Sequence, residues 1–339
     1  VKARTELLLS AGAIALFAAA PVLAPLVQLD ISIVSEVLVT AIAVMSVNLL
    51  LGYTGLPAFG NAAYFGLGAY GAALSVKYLG VHFIEAVLIG AVSAFLGGLI
   101  LAPFLLRRRG IYFGLLSIAF GQVFYFIAYS LAADVTGGED GMTIVRPYLG
   151  LPAAHVTLHE ESLYYVALVV FVVALIAFRG VVRSPFGRTL VAIRQNEARV
   201  RFLGLNTDRF IFFALLISAT MAGVSGAMFA LLINFAYPLE LDWHQSGYFV
   251  LSMILGGAGT LWGSLVGAFI YVIGKDIIST ITPLWQIFLG ALFVACVLGF
   301  PRGILGSIML LGRRRPTGTG NDVRPSLEAQ APTEVSRGV

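Results

Sequence analysis

The sequence predicts an all-α polytopic membrane protein of about ten transmembrane helices, eight at the lower count, with one or two segments broken or re-entrant. Three observations predict it. Apolar runs long enough to cross a bilayer, which takes roughly 20 residues, recur along the chain. Hydrophobic residues make up 59% of the 339 and charged residues only 11%, with a mean hydropathy of +0.94; a soluble domain carries about 25% charged residues. Arginine clusters fall between alternate apolar runs, as expected when one side of a membrane retains positive charge. Thirty-eight glycines spread through apolar sequence suit close helix packing. Disorder would need low hydrophobicity.

Candidate spans lie near 7–28, 31–51, 61–80, 83–106, 111–132, 162–181, 210–232, 245–259, 263–281 and 284–310. The first run is long for a signal-peptide core, and Pro21 follows Ala18, Ala19 and Ala20 where cleavage would fall, so it is read as an uncleaved span. The third and eighth runs are short and interrupted by glycine, which marks them as the broken or re-entrant ones. Lys2 and Arg4, Arg107 to Arg109, the arginines of 183–209 and Arg313 to Arg315 then share one side, the cytoplasm. The loop 133–161 on the other side holds Asp134, Glu139, Asp140, Glu160 and Glu161 against Arg146. Both termini are expected in the cytoplasm, with a transmembrane domain over 1–312 and a disordered tail over 313–339, rich in Pro, Gly, Ser, Thr and charge.

Two glycine-dense stretches carry the first functional candidates. The stretch Gly52–Tyr70, preceded by Asn48, includes Gly55, Pro57, Gly60 and Asn61. Pro57 has no N–H and the glycines permit a sharp bend, so a helix breaks here. Broken backbone at membrane depth is tolerated where protein buries it or where it lines a wet pathway. The second stretch, Gly256, Gly257, Gly259 through Gly267, contains small-xxx-small pairs at Gly259/Gly263 and Gly263/Gly267. Glycine-interrupted segments in both halves of a chain hint at a repeat around a transport pathway; tight packing at helix junctions explains each stretch equally well.

The segment 183–204 is basic, polar and caught between two long apolar runs. Ser184 can cap a helix, Pro185 suits its first position and Gly204 its stop. Leu190, Ile193, Val200 and Leu203 give it an apolar side, with Arg188, Arg194 and Arg201 between them. It reads as a docking element for a cytoplasmic partner. The bland alternative is a basic loop lying on anionic lipid headgroups.

Several function classes fall away. A phosphate-binding loop needs G-x-x-x-x-G-K-[ST], but Lys275 is followed by Asp276 and Phe269 stands where the first glycine should be. One cysteine, Cys296, and four histidines give no metal-ligand spacing. The net charge of +4 comes from arginines beside spans, which is no nucleic-acid footprint. Nothing links a nucleophile, a base and an orienting acid, so no enzyme is expected. Glu36, Glu85 and the Lys275/Asp276 pair are expected near the outer interface, in structural snorkelling or pairing roles. No spaced chain of intramembrane carboxylates supports coupling to a proton or sodium gradient.

Together these segments resemble the inner-membrane permease subunits of branched-chain amino acid ABC importers, over roughly residues 31–306. The pieces that carry the resemblance are Gly52–Tyr70, Arg109–Phe113, Thr136–Gly141, Ser184–Gly204, Gly256–Gly267 and Phe300–Gly303. The resemblance implies a multi-pass protein of the bacterial inner membrane that works by alternating access. Its implied partners are a second permease, two cytoplasmic ATPases that hold ATP and magnesium, and an extracytoplasmic substrate-binding protein. This chain would bind no cofactor itself. The segment 184–204 would be the coupling helix, with Ser184, Pro185, Gly187, Arg188, Arg194, Glu197, Arg201 and Gly204 facing the ATPase or shaping the contact. Asn48, Gly52, Gly55, Pro57, Gly60, Asn61, Gly256, Gly257 and Gly259 would line or hinge the pathway.

The chain also departs from the pattern. Arg199 stands where the coupling motif has a second Ala, and Gly204 comes one residue late. Leu56, Ala58 and Asn61 replace more polar residues, and Tyr248 follows Ser246 and Gly247 where a Glu is usual. Cargo therefore stays open between leucine, isoleucine and valine on one side and urea or short amides on the other. A gradient-driven transporter or channel for small organic solutes is the alternative class.

Overall fold

The first described helix, α1, runs over Ile31–Val47 and continues as a π-helical stretch over Asn48–Thr54. It ends at Gly55, whose φ of 79° only glycine adopts without strain. The structure, a computed structural model, describes residues 30–149 and 160–299 together with Phe17, Pro21, Gly303 and Ile304. After a non-helical link comes α2 over Asn61–Leu74, extended by a π-helical stretch over Ser75–Leu79. Then follow α3 (Phe83–Leu105), opened by a capping box between His82 and Glu85, and α4 (Ile111–Phe126), extended to Leu131. The chain continues through the short α5 (Ala133–Thr136), α6 (Glu160–Arg183), α7 (Pro185–Phe202) and α8 (Thr207–Ile233). It closes with α9 (Trp243–Gly256), α10 (Gly263–Ile281) and α11 (Trp285–Gly299). Two two-residue strands, β1 (Met142–Thr143) and β2 (Phe235–Ala236), pair antiparallel beside the 3₁₀ turn Pro238–Leu241.

Small residues decide how the helices meet. The largest interfaces join α8 to α2 and α3, and α2 to α3. A Cβ on Gly226 would lie 1.8 Å from the Phe65 carbonyl oxygen, and one on Gly68 2.1 Å from that of Gly223. At this crossing the backbones themselves touch, which maximises dispersion contact where lipid offers no hydrophobic drive between helices. The same device joins α9 to α10. A Cβ on Gly256 would meet the Gly263 carbonyl at 1.7 Å, and one on Gly267 that of Ser252 at 1.8 Å. Gly263 and Gly267 thus form the expected helix contact, whereas Gly259 lies in the link before α10.

The outside of the bundle is apolar. Leu88, Val92 and Ile100 on α3, Leu115 and Val123 on α4, and Val169, Val173 and Ile176 on α6 are all exposed. An apolar surface this continuous has no use in water and suits lipid. Six helices among the described residues are long and apolar enough to cross a membrane: Ile31–Thr54, Phe83–Leu105, Ile111–Leu131, Glu160–Arg183, Thr207–Ile233 and Gly263–Ile281. The count of about ten is therefore not established. The expected first span near 7–28 lies almost wholly outside the described residues, as does the tail over 313–339. The expected third and eighth spans appear as α2 and α9, shorter or less continuous than a full crossing, and the expected tenth appears as α11 up to Gly299, the rest of it lying largely outside the described residues. Neither α2 nor α9 is interrupted internally. The breaks lie beside them, at 55–60 before α2 and at 257–262 after α9.

Candidate functional site at the arginine-rich end

The two breaks meet. Asn48, fully buried in the π-helical end of α1, donates from Nδ2 to the Thr260 carbonyl at 2.8 Å and to Ser264 Oγ at 3.0 Å. Its Oδ1 accepts from the Gly259 amide at 2.8 Å. One amide side chain therefore holds an amide and a carbonyl of the link before α10 together with the Ser264 hydroxyl. The approach is possible only without side chains: a Cβ on Gly52 would lie 1.8 Å from Asn48 Oδ1 and 2.7 Å from the Gly259 nitrogen. Gly259 takes a φ of 75°, and Gly303 packs its Cα region against Gly257.

The basic segment lies against this clasp. Ser184 caps α7, its Oγ accepting from the Gly187 amide at 3.2 Å, and Pro185 occupies the first turn. Gly187 is buried where a Cβ would strike the Val182 carbonyl at 2.3 Å, which lets α7 turn sharply away from α6. Leu190, Ile193 and Val200 form the buried side. Arg194 reaches up from it. Its Nη1 donates to the Gly52 carbonyl, its stem covers Gly55, and its guanidinium lies beside Gly259. One side chain thus touches both helix breaks.

The expected single helix is two. Asn196 has extended backbone (φ −162°, ψ 99°) and its Oδ1 accepts from the Arg199 amide at 2.9 Å, capping a short second helix. Beyond this kink Glu197 turns inward to an ion cluster. Arg109 Nε donates to it at 3.1 Å, Arg201 Nη2 at 2.8 Å and the Thr207 hydroxyl at 2.9 Å. Asp208 bonds both Arg109 and Arg201. Burial pushes the Glu197 carboxyl up, but the Thr207 hydroxyl and the guanidiniums of Arg109 and Arg201 outweigh it and hold the group below its ordinary range. Arg188 is exposed, and Gly204, with φ 82°, ends the element. Phe202 and Leu203 project outward, 91% and 75% exposed. Leu203, grouped with the apolar side in the sequence, is on the open side instead.

A second node fastens the start of α2. Asn61 donates to Ser46 Oγ at 2.6 Å and accepts from Ser218 Oγ at 3.2 Å. The amides of Gly60 and Ala62 donate to Ser117 Oγ at 3.1 Å and Ser246 Oγ at 2.7 Å. Four helices and the break at Pro57 and Gly60 are joined through these side chains. Asn48 and Asn61 are both buried and engaged by protein, so neither faces open space in this conformation.

Ser46, Ser117, Ser218, Ser246, Thr260 and Ser264 carry no sequence signal of their own, since lone hydroxyls in apolar helices usually bond their own backbone. Lys275 pairs with Glu36 at 2.9 Å, 239 positions away in sequence, and not with its neighbour Asp276. Glu240 also escaped notice. It is buried, and its two oxygens and the Tyr70 hydroxyl are the buried side-chain atoms without a hydrogen-bond partner among the described residues. A lone Glu in a link between spans reads as a surface residue.

Residues 31–297 match the family described as "Branched-chain amino acid transport system / permease component". The chain is 28% identical over 298 residues to the high-affinity branched-chain amino acid transport system permease protein LivM of Salmonella typhimurium, covering 81% of this chain and 70% of that protein. It is 28% identical over 283 residues to LivM of Escherichia coli K12, covering 77% and 66%. To LivH, a second permease protein of the high-affinity system in Escherichia coli K12, it is 29% identical over 125 residues, covering 36% and 40%. No solved structure matches. An all-helical apolar bundle broken at two clasped glycine links is thus joined to a family match over most of its length, and the chain belongs to the branched-chain amino acid transport permease family.

Proposed function

We propose that this chain is the membrane-spanning permease subunit of an ABC importer for branched-chain or related amino acids, with its arginine-rich end in the cytoplasm and both termini on that side. One observation carries the reading: α7 has two working faces. On its outer side, Phe202 and Leu203 are exposed on a basic, capped element beyond any span. Two free apolar side chains outside the lipid-facing belt suit a groove on a partner protein. On its inner side, Arg194 touches both helix breaks. A partner that moves α7 moves the clasp.

The motor is a pair of ATPase subunits that hold ATP and magnesium and close on one another as they turn over. Their closure shifts α7, and α7 carries the movement through Arg194 to the ends of α1 and α9. A coupling element must interact differently with two states of the bundle to drive alternation. Arg194 on a carbonyl is suited to this, because a charge-assisted hydrogen bond is strong when aligned and weak when displaced. That two permease proteins of one system in Escherichia coli both resemble this chain supports a second permease completing the pathway. An extracytoplasmic binding protein delivers cargo to the acidic end.

The experiment is ATP-driven uptake by the reconstituted assembly, with residues 188–201 replaced by a flexible linker. Uptake is expected to vanish while the chain still co-purifies with its second permease. Normal uptake by that variant would sink the reading.

A further inference from the structure

At the end of the bundle opposite α7, a cavity of about 360 Å³ opens between the start of α9, the C-terminal half of α10 and the start of α11. That volume lies at the small end of the range for ligand pockets, about 300–1,000 Å³. Its walls combine Asp242, Lys275, Gln286, Tyr248, Tyr271 and Trp285. The rings form one surface: Tyr248 stacks on Tyr271 with centroids 5.4 Å apart, and Trp285 lies 6.1 Å from Tyr248. Aromatic faces with a few convergent polar groups are the usual build of a small-molecule site.

The charges are more than local structure needs. Asp242 caps α9 through Oδ1, which accepts from the His244 amide at 2.8 Å and contacts the His244 ring. Among the described residues its Oδ2 accepts only from Gln122, at 3.5 Å. A cap requires an oxygen but not a full negative charge, since Asn serves as well as Asp. Lys275 gives one bond to Glu36 at 2.9 Å, and an ammonium has three donors to give. Asp242, Glu36 and Lys275 together leave one net negative charge around the mouth.

We infer that this cavity binds a free α-amino acid with an aliphatic side chain, its ammonium on Asp242, its carboxylate on Lys275 and Gln286, and its side chain against Tyr248, Tyr271 and Trp285. The inference rests on the transport reading for the direction in which this end faces. It adds the place where cargo first meets the permease. The site is at the start of α9, the helix whose other end is the clasp at Gly256 to Gly259, so an occupant here touches an element that α7 also reaches.

The test is equilibrium dialysis of radiolabelled L-leucine against the purified assembly, full-length and without binding protein. Asp242→Asn keeps the cap and removes the charge; Trp285→Ala removes one wall. Each is expected to weaken L-leucine binding about tenfold. 4-Methylpentanoate and 3-methylbutylamine, which keep one charge each, are expected to compete at least about tenfold less well than L-leucine. Lys275→Gln alone would strand Glu36, so the double variant Glu36→Gln with Lys275→Gln serves for the carboxylate end. An assembly that imports L-leucine with ATP, yet binds it with no change in any of these variants, overturns the pocket and leaves the transport reading standing. An assembly that binds L-leucine through these residues and imports none overturns the transport reading and leaves the pocket.

Discussion

Two glutamates at opposite ends of the molecule have opposite relations to the proton. Glu197, at the arginine-rich end, is held by Arg109, Arg201 and Thr207 and prefers its charge. Glu240, in the 3₁₀ turn at the acidic end, is buried with neither oxygen bonded, and burial pushes its carboxyl well above the ordinary range. At the arginine-rich end Arg109, Glu197, Arg201, Thr207 and Asp208 are tied to one another. The acidic end keeps bonding capacity unspent, in Glu240, Tyr70 and the cavity beside Lys275. The contrast teaches a division of labour: a saturated junction transmits movement as a unit, while an unsaturated one has something left with which to bind.

The contrast breaks most severely at Asn48. Asn48→Leu fills the same space but leaves the Gly259 amide and the Thr260 carbonyl without their partner. Unsatisfied buried groups cost about 1–3 kcal/mol each, but Gly259 and Thr260 are only half-buried, so a loss of about 1–3 kcal/mol in all is expected. Thermal unfolding of the assembly in detergent would report it, alongside Asn61→Leu as a comparison at the second node. Unfolding temperatures equal to wild type would mean that the clasp is decorative and the saturated end is held by glycine packing alone.

Arg194 sharpens the comparison without dismantling it. Arg194→Ala is expected to cut ATP-driven uptake by on the order of tenfold or more, while the assembly stays folded and hydrolyses ATP. Arg194→Lys should restore less than half of the loss, because Lys lacks the guanidinium's fixed, directional donors. Full restoration by Lys would reduce the contact to a point charge.

How much of this was legible in the residues alone depends on the kind of signal. The helices were legible because apolar runs near 20 residues have few other uses, and the break at Pro57 because a missing N–H and clustered glycines leave little choice. The basic element was legible from Ser184, Pro185 and Gly204 as caps. Its kink was not: Asn196 can sit within a helix or cap one, and only the packing of Glu197 against Arg109 decides. The π-helical end of α1 is equally silent, since Asn48 to Thr54 reads as an ordinary continuation of the helix. Asn48 and Asn61 stood out only as a neighbour and a member of the glycine-dense stretch, and the serines that hold them are common in any membrane helix. Long-range partners such as Glu36 and Lys275 are set by the bundle, not by neighbours in the chain.

At the acidic end the expected effect is pH-dependent. Because the Glu240 carboxyl is raised when folded, the stability tied to it is complete below the ordinary carboxylate range. It is lost as pH rises from there through the folded value, at about 1.4 kcal/mol for each pH unit in that window. Glu240→Gln keeps the shape and cannot ionise. Its unfolding temperature should therefore stay level with rising pH where wild type declines. Parallel profiles would show that Glu240 has found a partner or water.

Glu197 should do the reverse, and more gently. Its folded carboxyl lies below the ordinary range, so its contribution is complete above that range and is lost as pH falls through the lower folded value. The side chain is 26% exposed, and partly exposed ion pairs contribute about 0–1 kcal/mol each, so a local loosening is expected and no global unfolding. Hydrogen-exchange protection at 197–208, taken relative to the intrinsic rate at each pH, should fall on acidification in wild type, with the amides near Thr207 responding first. In Glu197→Gln that protection should be low already and indifferent to acid. The two glutamates then give pH profiles of opposite slope from one chain, which a general effect of acid on the detergent micelle could not produce. Two profiles of the same sign would remove the distinction between a saturated and an unsaturated end.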